Sequence, residues 1–223
     1  MRVVFDLDGT LVDSVEDLLA AINRVLADHH LPLSNRKENL RYAGLGVEPM
    51  FRRSIEARVP SWDEEEKQRL TDAMIDLYRK NPATLTRPFE GIEHLLESLQ
   101  KDGVSMCVIS NKTSNLSQQI LSTLFSSIDF ERIIGPDSGY PPKPNPMSLL
   151  SCREGMGMGE QMLYIGDTEI DWQTAHRSAD HVYLATWGYR GRQALMAYGI
   201  EERYLIDYPM ELFSIVQKKG DWK

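Results

Sequence analysis

The stretch Asp6-Leu-Asp-Gly-Thr-Leu-Val-Asp-Ser14 constrains this chain more than any other. It follows directly on Arg2-Val-Val-Phe5, a β-branched and aromatic run that reads as a buried strand. Asp6 and Asp8 therefore fall at a strand's carboxyl end, where open α/β sheets place their ligands. Two ionised carboxylates this close together are costly in an interior unless something partners them. A divalent cation shared with a phosphate meets that need, and Gly9 lets the backbone turn away beyond it.

Beyond this stretch the chain divides into two kinds of pattern. Asp13-Ser14 offers cap oxygens, and Val15, Leu18, Leu19, Ile22, Val25 and Leu26 recur at helical spacing. Leu31-Pro-Leu-Ser34 interrupts the helix, and further helical patterns cover residues 36–42, 49–58 and 62–80. No strand pattern stands between Val12 and Ala83, and residues 15–84 are too long for an ordinary crossover, so they read as an inserted helical subdomain. From Pro88 onward helices at 91–101, 116–125, 147–155 and after Asp171 alternate with strands at 104–109, 132–135, 162–165 and 182–185. This alternation predicts an α/β fold, a doubly wound parallel sheet covered on both faces, built from residues 1–14 and 85–223. A last helix is expected over 212–216, before a charged end expected to fray.

Composition narrows the setting. The formal net charge of −8 argues against a phosphate-seeking basic surface and so against nucleic acid as a partner. No apolar run is long enough for a membrane span and no signal-peptide pattern opens the chain, so a cytoplasmic protein is expected. Cys107 and Cys152 fall in apolar patterns and are expected to be buried free thiols.

Three more polar clusters carry chemistry. Ser110-Asn111-Lys112 ends an apolar run and offers a hydroxyl and an amide to a phosphoryl group, although such a sequence also serves as a turn or helix cap. Lys143-Pro-Asn-Pro146 places a point cation in a Pro-rich loop. Gly166-Asp167-Thr-Glu-Ile-Asp171 follows another strand, with two carboxylates one helical turn apart that can face one cation. His29-His30, Gly155-Met-Gly-Met-Gly159 and Glu64-Glu-Glu66 read as a solvated helix end, a flexible connection and a solvated helix face. Arg41, Arg52 and Arg53 are candidate substrate contacts, for each of which an ordinary surface position is the simpler reading.

In order along the chain, these four clusters resemble the four motifs of the haloacid dehalogenase (HAD) superfamily: DxDGT, the Ser/Thr motif, KPxP and GDxxxD. RYAGLGVEPMF, RPFEGI, SNKTS and TWGYRG further resemble segments of its phosphoglycolate phosphatase-like group. The resemblance implies a Rossmann-like HAD core with an α-helical cap over residues 15–84. It also implies a Mg2+-dependent phosphomonoester hydrolase acting through an aspartyl-phosphate on a small phosphorylated metabolite, foremost 2-phosphoglycolate. Asp6 is then the nucleophile, Asp8 the general acid and base, and Lys143 the stabiliser of nucleophile and phosphoryl group. Ser110 and Asn111 bind phosphate. Asp6, Asp8 and Asp167 hold the metal, with Asp171 holding a coordinated water or orienting the other ligands. Gly44 and Gly46 are the expected cap specificity turn. Alternatives within catalysis are a β-phosphoglucomutase-like mutase, a nucleotidase or a pyrophosphatase; outside it, a binding module. Either a monomer or a homodimer fits. Two departures stand out: Ala179 where the family usually has glycine, and Glu169-Ile170 where Arg-Asn is common.

Overall fold

The computed structural model describes residues 1–178 and 181–218. The chain opens with β1 (Arg2–Phe5), β2 (Val12–Asp13), α1 (Val15–Asp28), α2 (Arg36–Leu40), α3 (Val47–Glu56) and α4 (Glu64–Lys80). It continues through β3 (Arg87–Pro88), α5 (Ile92–Lys101), β4 (Ser105–Ile109), α6 (Ser114–Leu124), β5 (Arg132–Ile134) and α7 (Met147–Ser151). Then come β6 (Met162–Gly166), α8 (Glu169–Ser178), β7 (His181–Ala185), α9 (Gly191–Ala197), β8 (Leu205–Ile206) and α10 (Pro209–Gln217).

Six strands form one sheet in the order β5-β4-β1-β6-β7-β8, every pair parallel. Period-two alternation sends Val3 and Phe5 into one apolar layer, with Leu95, Leu96 and Leu99 of α5 and Ile120 of α6. Val4, Cys107 and Tyr164 point into the opposite layer, with Leu149, Ala175 and Leu195. Both faces are covered, as a doubly wound sheet requires. From the central β1, chain order leads outward in opposite directions, through β4 on one side and β6 on the other. That reversal opens a crevice at the carboxyl ends of the three strands. Phe5 pairs with Val108 and Ile165, so Asp6, Ser110 and Asp167 emerge at nearly one level.

Helices α1, α3 and α4 close a core of their own around Leu18, Ile22, Phe51, Ile55, Met74 and Tyr78. Two short strands join this block to the sheet: β2 and β3 pair antiparallel, Val12 with Pro88 and Asp13 with Arg87. Asp17 fastens the junction, its buried carboxylate accepting from Leu85 N, Thr86 N and the Thr86 hydroxyl. We propose this ribbon as the boundary between a core of residues 1–14 and 85–223 and a cap of residues 15–84.

Several boundaries differ from the periodicity for identifiable reasons. α4 starts at Glu64 because Asp63 caps it, accepting from Glu66 N at 2.8 Å. α6 starts at Ser114, earlier than its apolar pattern, because the distant Asp137 accepts from Ser114 N at 2.6 Å. α3 starts at Val47 and carries Pro49 in its first turn, where a missing N–H costs nothing. α7 ends at Ser151, where turns replace the expected continuation. β2, β3 and β8 are two residues each, and α9 lacks a marked apolar stripe. Both thiols are free and buried. Among the described residues, no helix is long and apolar enough to cross a membrane. Ala179 and the charged end from residue 219 lie outside the described residues.

Candidate active site

The crevice at the carboxyl ends of β1, β4 and β6 gathers the expected carboxylates. Asp6, Asp167 and Asp171 are all buried, and one carboxylate oxygen from each lies within 4.8 Å of the others. Lys143 stands among them, its ammonium 2.8 Å from Asp6 Oδ1 and 2.7 Å from Asp171 Oδ1. The loop carrying Lys143 is held in turn by Asn111, whose Oδ1 accepts from Lys143 N at 2.7 Å.

Asp171 is the best satisfied of the three. It accepts from Lys143, from the Tyr164 hydroxyl at 2.5 Å, from the Thr168 hydroxyl at 2.7 Å and from the backbone N–H groups of Asp167 and Thr168. Asp167 Oδ2 accepts from Tyr189 N at 2.7 Å, and the Thr10 hydroxyl reaches Oδ1 at 3.5 Å. Gly9 makes this approach possible: its φ is +90°, and a Cβ there would sit 2.3 Å from Asp167 Oδ2.

The electrostatics follow from three carboxylates sharing one ammonium away from water. Burial raises the Asp6 carboxyl to about 7, Lys143 opposing the shift and Asp171 adding to it. Burial, Asp171 and Asp6 push Asp167 well above the usual carboxylate range. Asp171 ends below that range, because the pull of Lys143 and the bonds from Tyr164 and Thr168 outweigh its burial. The surplus negative charge and the all-oxygen donors fit a hard divalent cation among Asp6, Asp167 and Asp171.

A pH dependence follows. The neutral form of Asp6 is favoured in the folded protein, so its contribution to metal-free stability is full below the ordinary value of 3.8 and is lost as pH rises through about 7. A divalent cation held by these carboxylates would favour the ionised form instead. Saturating Mg2+ is therefore expected to raise the melting temperature more at pH 8 than at pH 5. A thermal shift of equal size at both pH values would contradict this.

Asp8 points into the same cavity as Asp6. Its Oδ1 accepts from the Ser14 hydroxyl and from Lys112 Nζ, the latter at 2.7 Å. Ser110 also lines the cavity, and its Oγ accepts from Lys112 N at 3.1 Å, leaving the hydroxyl proton free to be donated. The Asn111 amide is committed elsewhere, donating to Gly44 O at 2.8 Å and Lys143 O at 3.0 Å. Asn111 thus bridges cap and core, and it also lines the cavity beside Ser110.

The cap contributes Leu18, Ala43, Gly44, Gly46, Val47 and Met50 to the cavity wall. Neither Arg41, Arg52 nor Arg53 is among the lining residues. Arg41 is exposed, Arg52 pairs with Glu56 and Glu64, and Arg53 lies 3.6 Å from Glu56. The cavity volume is about 30 Å³.

Several site residues carry no sequence signal of their role. Lys112 is buried between Asp8 and Tyr78 of α4; burial alone would lower its pKa, but those two partners outweigh it and keep the ammonium charged. The Tyr189 hydroxyl accepts from Ser14 N at 2.9 Å, and Trp187 Nε1 donates to Thr10 O at 3.0 Å, so TWGYRG forms a wall against the first motif. Arg190 donates to Leu40 O and Ala43 O of the cap while Glu169 holds its guanidinium at 2.7 and 2.9 Å. Glu169 thus supports a core-to-cap clamp.

A family model described as haloacid dehalogenase-like hydrolase matches residues 3–184. The chain is 33% identical over 195 residues to the phosphoglycolate phosphatase of Aquifex aeolicus (strain VF5), covering 85% of this chain and 86% of that one. It is 36% identical over 189 residues to the phosphoglycolate phosphatase of Cereibacter sphaeroides (strain ATCC 17029 / ATH 2.4.9), covering 84% and 86%. The crystal structure of a predicted phosphoglycolate phosphatase from Haemophilus somnus 129pt matches with a TM-score of 0.86 and 26% identity, over 97% of both chains. A HAD-superfamily hydrolase of subfamily IA from Geobacter sulfurreducens PCA shares the fold, with a TM-score of 0.69 and 23% identity over 96% of this chain and 95% of that one.

Proposed function

We infer that this chain, which belongs to the haloacid dehalogenase-like hydrolases, is a phosphatase that hydrolyses phosphomonoesters through an aspartyl-phosphate on Asp6. The observation that carries the reading is one buried ammonium, Lys143, 2.8 Å from Asp6 and 2.7 Å from Asp171, with Asp8 facing the same cavity. An anionic nucleophile must meet an anionic phosphoryl group there, and Lys143 offsets part of that repulsion. Mg2+, held by Asp6, the backbone carbonyl of Asp8 and Asp167, would supply the remaining neutralisation. Asp171 orients Lys143 and the Asp167 backbone.

Asp6 attacks phosphorus in line. Asp8 gives a proton to the leaving oxygen and later takes one from the water that opens the acyl phosphate. Ser110 donates its hydroxyl proton to a phosphoryl oxygen. The setting we propose is cytoplasmic, as a monomer or homodimer, with neither nucleic acid nor membrane as partner.

The substrate is a small ester, 2-phosphoglycolate foremost. The cavity is small, its cap wall is built from aliphatic side chains and the turn at Gly44 and Gly46, and two relatives carry the name phosphoglycolate phosphatase. Phosphate release from a panel of phosphorylated metabolites tests this. Mg2+-dependent turnover is expected, with 2-phosphoglycolate ahead of hexose phosphates and nucleotides by at least about tenfold in kcat/KM. Nucleotides or hexose phosphates in front would overturn the substrate, and no release from any ester would favour a binding module.

Gly46 gives a sharper prediction. Its φ is +102°, and a Cβ there would sit 2.6 Å from Asn111 O, so a side chain pushes the cap away from the core. Gly46→Val is expected to lower kcat/KM for 2-phosphoglycolate by about tenfold or more and to flatten the substrate ranking. Unchanged ranking and efficiency would remove this turn from specificity.

A further inference from the structure

Lys112 follows Ser110 by two residues, between β4 and α6, and is 1% exposed. An ammonium so withdrawn from water needs partners. Its Nζ donates to Asp8 Oδ1 at 2.7 Å and to the Tyr78 hydroxyl at 2.6 Å, and it lies 5.0 Å from the Tyr78 ring centroid. Tyr78 belongs to α4 of the cap, whereas Lys112 and Asp8 belong to the core. The same Asp8 oxygen also accepts from the Ser14 hydroxyl. Two donors tie down Oδ1 and leave Oδ2 as the oxygen that can exchange a proton with a bound ester.

We propose that Lys112 is a positioning residue that fixes which oxygen of Asp8 delivers the proton, and that Tyr78 makes this arrangement depend on the cap being docked. The inference rests on the reading of Asp8 as acid and base. In the first half-reaction an Asp6 oxygen bonds to phosphorus as the ester P–O bond breaks. The electron pair of that bond stays on the leaving oxygen, which takes the proton from Asp8 Oδ2 and departs as the alcohol. Asp8 is left as a carboxylate against Lys112. In the second half-reaction water attacks phosphorus, Asp8 takes its proton, and the bond between phosphorus and the Asp6 oxygen breaks. With the cap displaced, Lys112 loses the Tyr78 hydroxyl, and Asp8 loses the fixed partner that orients it. Proton delivery is thereby confined to the closed cavity.

The test compares an alkyl ester, which needs the proton, with p-nitrophenyl phosphate, whose leaving group does not. The constant to read is kcat/KM, because it reports steps through phosphorylation of Asp6 and excludes the later hydrolysis. Lys112→Met is expected to lower kcat/KM for 2-phosphoglycolate about a hundredfold, and for the aryl ester at least about tenfold less than that. Tyr78→Phe keeps the ring that packs edge-on against Phe51 and removes the hydroxyl, so it decides the matter even if Lys112→Met fails to fold. Its expected selective loss on the alkyl ester is about tenfold. Equal losses on both esters, or none on either, would overturn the proposal. Asp8→Asn serves as the control: if it shows no alkyl-selective loss, the acid role of Asp8 has failed, which is a separate result.

Discussion

Asp6→Asn is expected to reduce turnover by more than about a thousandfold, because an amide oxygen cannot form the acyl phosphate that divides the reaction into two displacements. The fold should survive the change. Asn keeps an oxygen that accepts from Lys143, and it removes one of three buried carboxylates that repel one another. Above neutral pH, where the raised Asp6 would otherwise be forced to ionise, the variant should melt no lower than the wild-type protein. Circular dichroism melts and phosphate release, read together, check both halves. Turnover like that of the wild type, in protein whose mass confirms the substitution, would remove Asp6 from the chemistry.

Lys143→Met is expected to damage activity and stability together. Its ammonium is shared by Asp6 and Asp171, and removing one partner of a buried ion pair costs about 3–5 kcal/mol, since the remaining charge stays desolvated. Loss of the preorganised cation should lower kcat by at least about a hundredfold. The stability loss should shrink at pH 5, where Asp6 is neutral in the fold, and should also shrink with added divalent cation. Denaturant unfolding at pH 5 and pH 8, with and without Mg2+, measures all of this. A variant as stable as wild type at pH 8 without metal would mean that Asp6 and Asp171 do not depend on Lys143.

The parallel sheet and the acidic cluster were legible in the sequence because both are local. A β-branched run ending in a carboxylate announces a strand tip, and Asp6, Asp8, Asp167 and Asp171 all sit directly after such runs or within one helical turn of them. What escaped is what long-range contact decides. Lys112 was visible beside Ser110, but its role depends on Tyr78, which its own helix presents as one more residue of a buried stripe. Asn111 stands out beside Ser110, but the bonds by which it ties the Gly44 turn and the Lys143 loop to the cavity are long-range and leave no local pattern. Tyr189 and Arg190 reach the site by backbone and guanidinium bonds to Asp167 and to the cap, and no spacing along the chain encodes those. The ribbon of β2 and β3 is too short to carry any periodicity.

If Asp6 becomes phosphorylated during turnover, acid-quenched mass spectrometry of Asp8→Asn turning over p-nitrophenyl phosphate captures the intermediate. The good leaving group lets phosphorylation proceed without the acid, while the missing base slows hydrolysis, so the intermediate should accumulate. The predicted result is one phosphoryl group on the peptide containing Asp6, absent when Asp6→Asn is combined with Asp8→Asn. Release of p-nitrophenol with no phosphoenzyme at any quench time, or a phosphoryl group on another residue, would contradict it.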